Sequence, residues 1–356
     1  MTHHPASRVA FTLLLALAAA GVCVWLRTPL PWMIGPLLAT AIASVRGAPT
    51  QSWAPLRNVG QWTIATALGL YFTPQVTALV AGLWWAIALG IAWAMALGWA
   101  FGAWLQRTQA HRIGGGPLQV RATTYFAGAI GGASEMTLFA EREGGRTDLV
   151  AASHSLRLLI VTVMIPLVFT LSGLHGIDLT PPGPRAVHWG GLALLAAATG
   201  AGAWLMRSTG RANPWFMGAL LVAMGFTMAG IDLSAVPTFL TNGAQLVIGV
   251  SLGVRFEARF VHTAPRWLAS VVLGTVVMIA LCAAFAALLA LGTGLHPATM
   301  ILGTSPGGIA EMAITAKVLA LGVPVVTAFQ VCRLVAVLIL VEPLYRWVYV
   351  KPQGSG

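Results

Sequence analysis

Apolar runs close to or longer than the roughly 18 residues needed to cross a bilayer as helix recur along almost the whole chain of 356 residues. In hydrocarbon no water satisfies peptide N–H and C=O groups, so such runs must close their backbone hydrogen bonds internally, as helices. Composition points the same way: 58% of the residues are hydrophobic and 8% are charged, against about 25% charged in a soluble domain. No stretch long enough for a soluble domain remains. Residues 1–356 read as one integral, all-α, polytopic membrane domain.

The formal charge of +11 sits mostly in short loops between apolar runs, which is the positive-inside pattern. No stretch mixes basic residues with aromatics as a nucleic-acid groove would, so nucleic acid is not an expected partner. Arg8 is followed by an apolar run from Val9 to Leu26 that is long enough to span and lacks a small-residue cleavage site, and it reads as a first transmembrane helix. Cys23, Cys282 and Cys332 lie inside apolar runs without metal-ligand spacing and read as packing residues. Most of the fourteen tryptophans, such as Trp25, Trp32, Trp53, Trp62 and Trp189, fall near segment ends, where they anchor helices at the interface.

Twelve apolar segments can be drawn, at 9–26, 32–46, 58–72, 76–105, 122–141, 149–173, 187–206, 214–230, 240–256, 267–292, 297–320 and 324–345. The stretch Pro181, Pro182, Gly183, Pro184 reads as the joint between a first repeat, 9–174, and a second, 187–348. Three motifs support the duplication. Pro31-Trp32-Met33-Ile34-Gly35 recurs as Pro214-Trp215-Phe216-Met217-Gly218. Asn58 and Gln61, followed by Gly69 and Phe72, recur as Asn242 and Gln245, followed by Gly253 and Phe256. Gly131-Gly132-Ala133-Ser134-Glu135-Met136 recurs as Gly307-Gly308-Ile309-Ala310-Glu311-Met312, and in both copies an arginine follows the glutamate by 22 residues (157 − 135 and 333 − 311).

Loop charge gives the orientation. Arg46 and Arg57, and then Arg107, Arg112 and Arg121, fall in first-half loops whose second-half equivalents hold Asp232 alone or no charge. Conversely, Arg255, Arg259 and Arg266 answer an uncharged first-half loop, and Arg207 with Arg211 answer Arg27. Equivalent loops therefore face opposite sides, and the repeats are inverted. Inversion needs an odd number of crossings per half. If the fifth and eleventh segments fail to span, the N-terminus, the large basic loops, Arg346 and Lys351 all become cytoplasmic. The expectation is ten transmembrane helices plus two re-entrant or broken ones.

Those two segments also contain the sequences least suited to continuous helix, Gly128-Ala129-Ile130-Gly131-Gly132 and Thr304-Ser305-Pro306-Gly307-Gly308, because glycine costs about 1 kcal/mol and proline about 3 kcal/mol in a helix interior. Paired breaks at matching positions point to a transport site; close glycine packing between helices is the plainer reading. Charged residues accompany the breaks. Glu135 and Glu311 each start the second half of a broken helix, where they complement its positive end or pair with Arg157 and Arg333. They are equally suited to taking up a cation or proton while the arginines hold an anionic group. His154 occupies the place of Gln330, each three residues before its arginine and on the same helical face. It reads either as a titrating group or as a hydrogen-bonded interior histidine. The candidate binding set is thus Gly131, Gly132, Ser134, Glu135, His154, Arg157, Ser305, Gly307, Gly308, Glu311, Gln330 and Arg333, with Asn58, Gln61, Asn242 and Gln245 as a second tier of ligands or interhelical bonds.

The repeated Gly-Gly-x-x-Glu-Met with its downstream arginine, and the Pro-Trp-x-x-Gly that opens each unit, resemble the AbrB-type membrane protein family, with its tandem AbrB duplication, over Pro31 to Trp347. The resemblance implies a polytopic fold. It leaves activity undecided, since members carry labels as different as regulator and ammonia monooxygenase. A monooxygenase needs clustered metal ligands, whereas His154 alone of eight histidines lies well inside a segment; no enzyme activity, metal or organic cofactor is expected. No Walker motif is present. The reading is an ion-coupled secondary transporter of a small solute, an anion among the candidates, with its site between the two broken helices and Na+ or H+ as coupling ion, in a bacterial inner membrane with a cytoplasmic N-terminus. Its expected partners are lipid and the solute, with homo-oligomerisation left open. The alternative is a membrane-embedded regulator acting through cytoplasmic loops.

Overall fold

The computed structural model describes residues 5–174, 176, 186–210, 213–256 and 265–350. The joint at Pro181–Pro184, together with Arg211, Arg259 and Lys351, lies outside the described residues. Among the described residues the regular structure is helical. The first half contains α1 (Pro5–Trp25), α2 (Pro31–Val45), α3 (Ala54–Gly69), α4 (Pro74–Gly82), α5 (Trp84–Ile113), α6 (Pro117–Gly128), α7 (Ala133–Arg142) and α8 (Thr147–Leu171). The second contains α9 (Trp189–Ser208), α10 (Pro214–Met228), α11 (Thr238–Gly253), α12 (Pro265–Thr293), α13 (Pro297–Thr304), α14 (Ile309–Val318) and α15 (Val323–Tyr345), which runs into a π-helical turn, Arg346–Val350.

Among the described residues six helices are long and apolar enough to cross a membrane: α1, α5, α8, α9, α12, and α15 with its terminal turn. The pair α3 and α4, bent by 91°, makes a seventh if taken as one span. Both α2 and α10 have 15 residues, about 22 Å at 1.5 Å per residue and short of a hydrocarbon core of about 30 Å. The expected count of ten therefore goes beyond what helix length supports. The segment read as 76–105 is divided, because α4 ends at Gly82 and α5 starts at Trp84.

Both breaks fall where glycine and proline concentrate. Helix α6 stops at Gly128 and α7 starts at Ala133; α13 stops at Thr304 and α14 starts at Ile309. Proline opens many of the helices, its fixed φ suiting the first turn and its missing N–H removing a donor that has no helical partner there. Before the proline of each Pro-Trp-x-x-Gly motif the chain turns through a left-handed residue, Leu30 at φ 49° and Asn213 at φ 48°. Leucine is disfavoured there by roughly 1–2 kcal/mol, and the burial of Leu30 holds it in place.

The helices group into two compact units. The first comprises α1 to α4, the C-terminal part of α8, α9 to α11 and most of α14. In it α2 packs on α1 and α11, α10 on α9 and α3, and α3 on α11. Exchanging the first-half helices for their second-half counterparts reproduces this set of pairs. Glycines set the closest approaches. A Cβ on Gly35 would stand 2.7 Å from the carbonyl oxygen of Ala19, and one on Gly218 would strike the Gly202 carbonyl oxygen. The Pro-Trp-x-x-Gly glycines are therefore packing residues that let α2 and α10 close on α1 and α9.

The second unit comprises α5 to α7, the N-terminal part of α8, α12, α13 and α15 from Val326. Here α5 packs on α6 as α12 packs on α13, and α5 meets α12. Gly128 lies so near α5 that a Cβ would be 2.6 Å from the Gly98 carbonyl oxygen. Trp93 stacks on Phe285 at 4.8 Å between ring centroids. Trp267 Nε1 donates to Ser153 Oγ at 3.0 Å, and the Tyr125 hydroxyl donates to the Val341 carbonyl at 3.0 Å, tying α8 and α15 to their neighbours.

Candidate functional site

A helix that stops in the interior leaves its last four carbonyls without helical donors. In the second unit α6 and α13 both stop this way, and side chains three residues apart on the following long helix supply the missing donors. His154 and Arg157 come from α8; Gln330 and Arg333 come from α15. All four are at least nine-tenths buried.

At α6, Arg157 donates from Nη2 to the Ala129 carbonyl at 2.8 Å and from Nη1 to those of Gly128 at 3.3 Å and Ala127 at 3.5 Å. His154 Nε2 bonds the Phe126 carbonyl at 2.9 Å, and its Nδ1 lies 2.7 Å from Arg157 Nη2. A carbonyl can only accept and a guanidinium can only donate. The ring is therefore the neutral tautomer with its proton on Nε2. Both nitrogens are occupied in that form, which favours the interior-histidine reading over the titrating one.

The second copy makes equivalent bonds to Leu302 and Ser305, and between Gln330 and Arg333, with different atoms, and adds others. Gln330 Nε2 donates to the carbonyls of Leu302 at 2.7 Å, Gly303 at 3.2 Å and Ser305 at 3.2 Å, while its Oε1 accepts from Arg333 Nη2 at 2.6 Å. Arg333 also donates to the carbonyls of Ser305 and, at 2.7 Å, Gly307. One offset of 176 residues relates His154 to Gln330, Arg157 to Arg333 and Phe126 to Leu302 (330 − 154, 333 − 157 and 302 − 126). Two guanidinium groups thus cap two helix C-termini, where a positive charge is favoured by the helix dipole. The two are near enough for their charges to interact.

The other candidates are placed differently. Gly132 is the N-cap of α7, and the Glu135 carboxylate folds back over it, so closely that a Cβ on Gly132 would strike Oε2. Glu135 therefore complements the start of its own helix. Pairing of Glu135 with Arg157 is not made, because the guanidinium is taken up by peptide carbonyls and His154. Ser134, in the first turn of α7, is exposed, and Gly131 is half-buried. Ser305 and Gly307 offer main-chain carbonyls to Arg333, and Gly308 precedes α14. Glu311 is buried and belongs to the first unit, where Arg255 lies within electrostatic range of it. Asn58 and Gln61 on α3, and Asn242 and Gln245 on α11, belong to the first unit as well; Gln245 is buried and the other three are half-buried.

Sequence reasoning did not find the carbonyls of residues 126–129 and 302–307 as acceptors, since every residue has one and none leaves a mark in composition. Arg255 appeared only as a loop charge. A signal for the capping role was available: a buried arginine with a polar partner three residues before it, following a glycine-rich break.

Residues 32–349 match the family described as transition state regulatory protein AbrB. The chain is 26% identical over 370 residues to an uncharacterized protein, YhjN, of Bacillus subtilis (strain 168), covering 93% of this chain and 91% of the relative. It is 25% identical over 327 residues to a protein of Escherichia coli (strain K12) named as a proposed regulator, AbrB, covering 90% of each. No solved structure matches.

Proposed function

We propose, since the chain belongs to the AbrB family and its helices are long and apolar enough for a multi-pass membrane protein, that it is an ion-coupled secondary transporter of a small solute, built from two inverted repeats. The observation behind this reading is the pair of interrupted helices whose broken ends are capped by matched side chains at a constant offset of 176 residues. Irregular backbone in a membrane persists only where protein or a polar cavity satisfies it, and symmetric breaks in duplicated halves are where transporters hold solute and coupling ion. The exchange of helix partners between the halves supports a two-fold relation, and loop charge supports its inverted sense and a cytoplasmic N-terminus in a bacterial inner membrane. Glu135 and Glu311, each in the first turn of a second half-helix, are the proposed coupling-ion groups for H+ or Na+. No covalent chemistry is required.

Reconstitution into proteoliposomes under an imposed proton or sodium gradient tests the proposal. Gradient-driven uptake of a solute is expected, and loss of coupling in Glu135→Gln and Glu311→Gln. Uptake that stays intact in both variants removes the glutamates from the mechanism. The name of the Escherichia coli relative favours a second reading, a membrane-embedded regulator. Expression in a host lacking its relatives separates the two: a new solute flux supports the transporter, and altered transcription without flux supports the regulator.

A further inference from the structure

Arg157 and Arg333 are 3% and 7% exposed, the charge of Arg333 acts on Arg157, and neither has a carboxylate partner among the described residues. Taking an ion out of water is costly unless it is matched. A helix C-terminus offers roughly half a negative charge, so α6 and α13 together offset about one of the two positive charges and leave about one unmatched. The donors give the same answer. Both terminal nitrogens of Arg333 are bonded to the Ser305 and Gly307 carbonyls and to Gln330, whereas its Nε is buried with no acceptor. An unmatched positive charge beside an N–H that lacks an acceptor selects an oxygen-bearing anion of single charge. A dianion overcompensates the charge, and a neutral or cationic solute leaves the two guanidinium groups repelling each other.

We propose that the Arg157–Arg333 pair at the ends of α6 and α13 binds a small monovalent oxyanion, of which a monocarboxylate is the organic form, with Arg333 Nε donating to one of its oxygens. This rests on the transporter reading in taking the broken-helix site as the solute's site, while binding itself needs no flux.

Isothermal titration of the purified full chain in detergent with sodium propionate, sodium nitrate, sodium sulfate and propionamide, at constant ionic strength, tests it. Propionate or nitrate is expected to bind at least tenfold more tightly than sulfate and than the isosteric neutral amide. Arg333→Lys keeps the charge but removes Nε and the planar fork, and it is expected to weaken monoanion binding at least tenfold. Three results overturn the proposal: no binding of either monoanion to the wild-type chain, equal binding of propionate and propionamide, or unchanged binding in folded Arg333→Lys. Should that variant fail to fold, the wild-type comparison of propionate with propionamide decides. Monoanion binding without flux in proteoliposomes refutes the transporter and leaves the site. Flux of a neutral or cationic solute without anion binding refutes the site and leaves the transporter.

Discussion

The two caps do the same work with different side chains, so replacing one by the other is a direct test of what His154 is for. In His154→Gln the amide can donate to the Phe126 carbonyl and accept from Arg157, as Gln330 does toward the Leu302 carbonyl and Arg333. The cost is expected to stay within about 1 kcal/mol, since no buried group loses a partner. In His154→Leu the Phe126 carbonyl and one Arg157 N–H lose bonds of 2.9 and 2.7 Å in a dry interior. Each orphaned group costs about 1–3 kcal/mol, which gives roughly 2–6 kcal/mol for the two. Against a stability of about 5–15 kcal/mol that loss is large. Reversible unfolding in mixed micelles of a mild detergent and sodium dodecyl sulfate measures both variants against wild type. If His154→Gln is as damaging as His154→Leu, the hydrogen-bonding account is wrong and the imidazole itself is required.

Arg157→Leu removes the donor for the Ala127, Gly128 and Ala129 carbonyls and should cost more than His154→Leu, by about 1–3 kcal/mol for the best of these bonds; the same micelle titration reads it, and equal losses contradict the capping role. Gly35→Leu and Gly218→Leu force side chains against the Ala19 and Gly202 carbonyl oxygens and should each destabilise by about 1–3 kcal/mol, with stability like wild type counting against the close packing of α2 on α1 and of α10 on α9. Trp267→Phe loses the bond to Ser153 Oγ and should cost about 1 kcal/mol, an effect that Ser153→Ala should not add to in the double variant. Arg107→Cys and Arg255→Cys are expected to react with an impermeant maleimide from the same face of the membrane; labelling from opposite faces refutes the inverted arrangement.

Much of the site could be read from residue types. The breaks at 129–132 and 305–308 followed from the helix cost of glycine and proline, and the shared helical face of His154 with Arg157, and of Gln330 with Arg333, followed from a spacing of three. What those side chains hold did not follow. Charge complementarity suggested carboxylates, whereas the structure gives the guanidinium groups main-chain carbonyls. The two glutamates look equivalent in sequence, yet Glu135 is half-buried over the start of its own helix while Glu311 is buried within range of Arg255. Helix lengths showed the same boundary: hydropathy drew 76–105 as one segment, and the division between Gly82 and Trp84 is a local event that hydropathy does not register.

The sequence by itself determined that the chain is helical and built for lipid, that it carries three motifs twice, and where two of its helices break, because these follow from solvation of the peptide group and from the backbone preferences of glycine and proline. Only the tertiary structure decided that Gly35 and Gly218 are contact points between helices and that Arg157 and Arg333 close the broken ends of α6 and α13. Those assignments depend on which backbone atoms come within hydrogen-bond or van der Waals reach, and distances between residues far apart in the chain are set by packing alone.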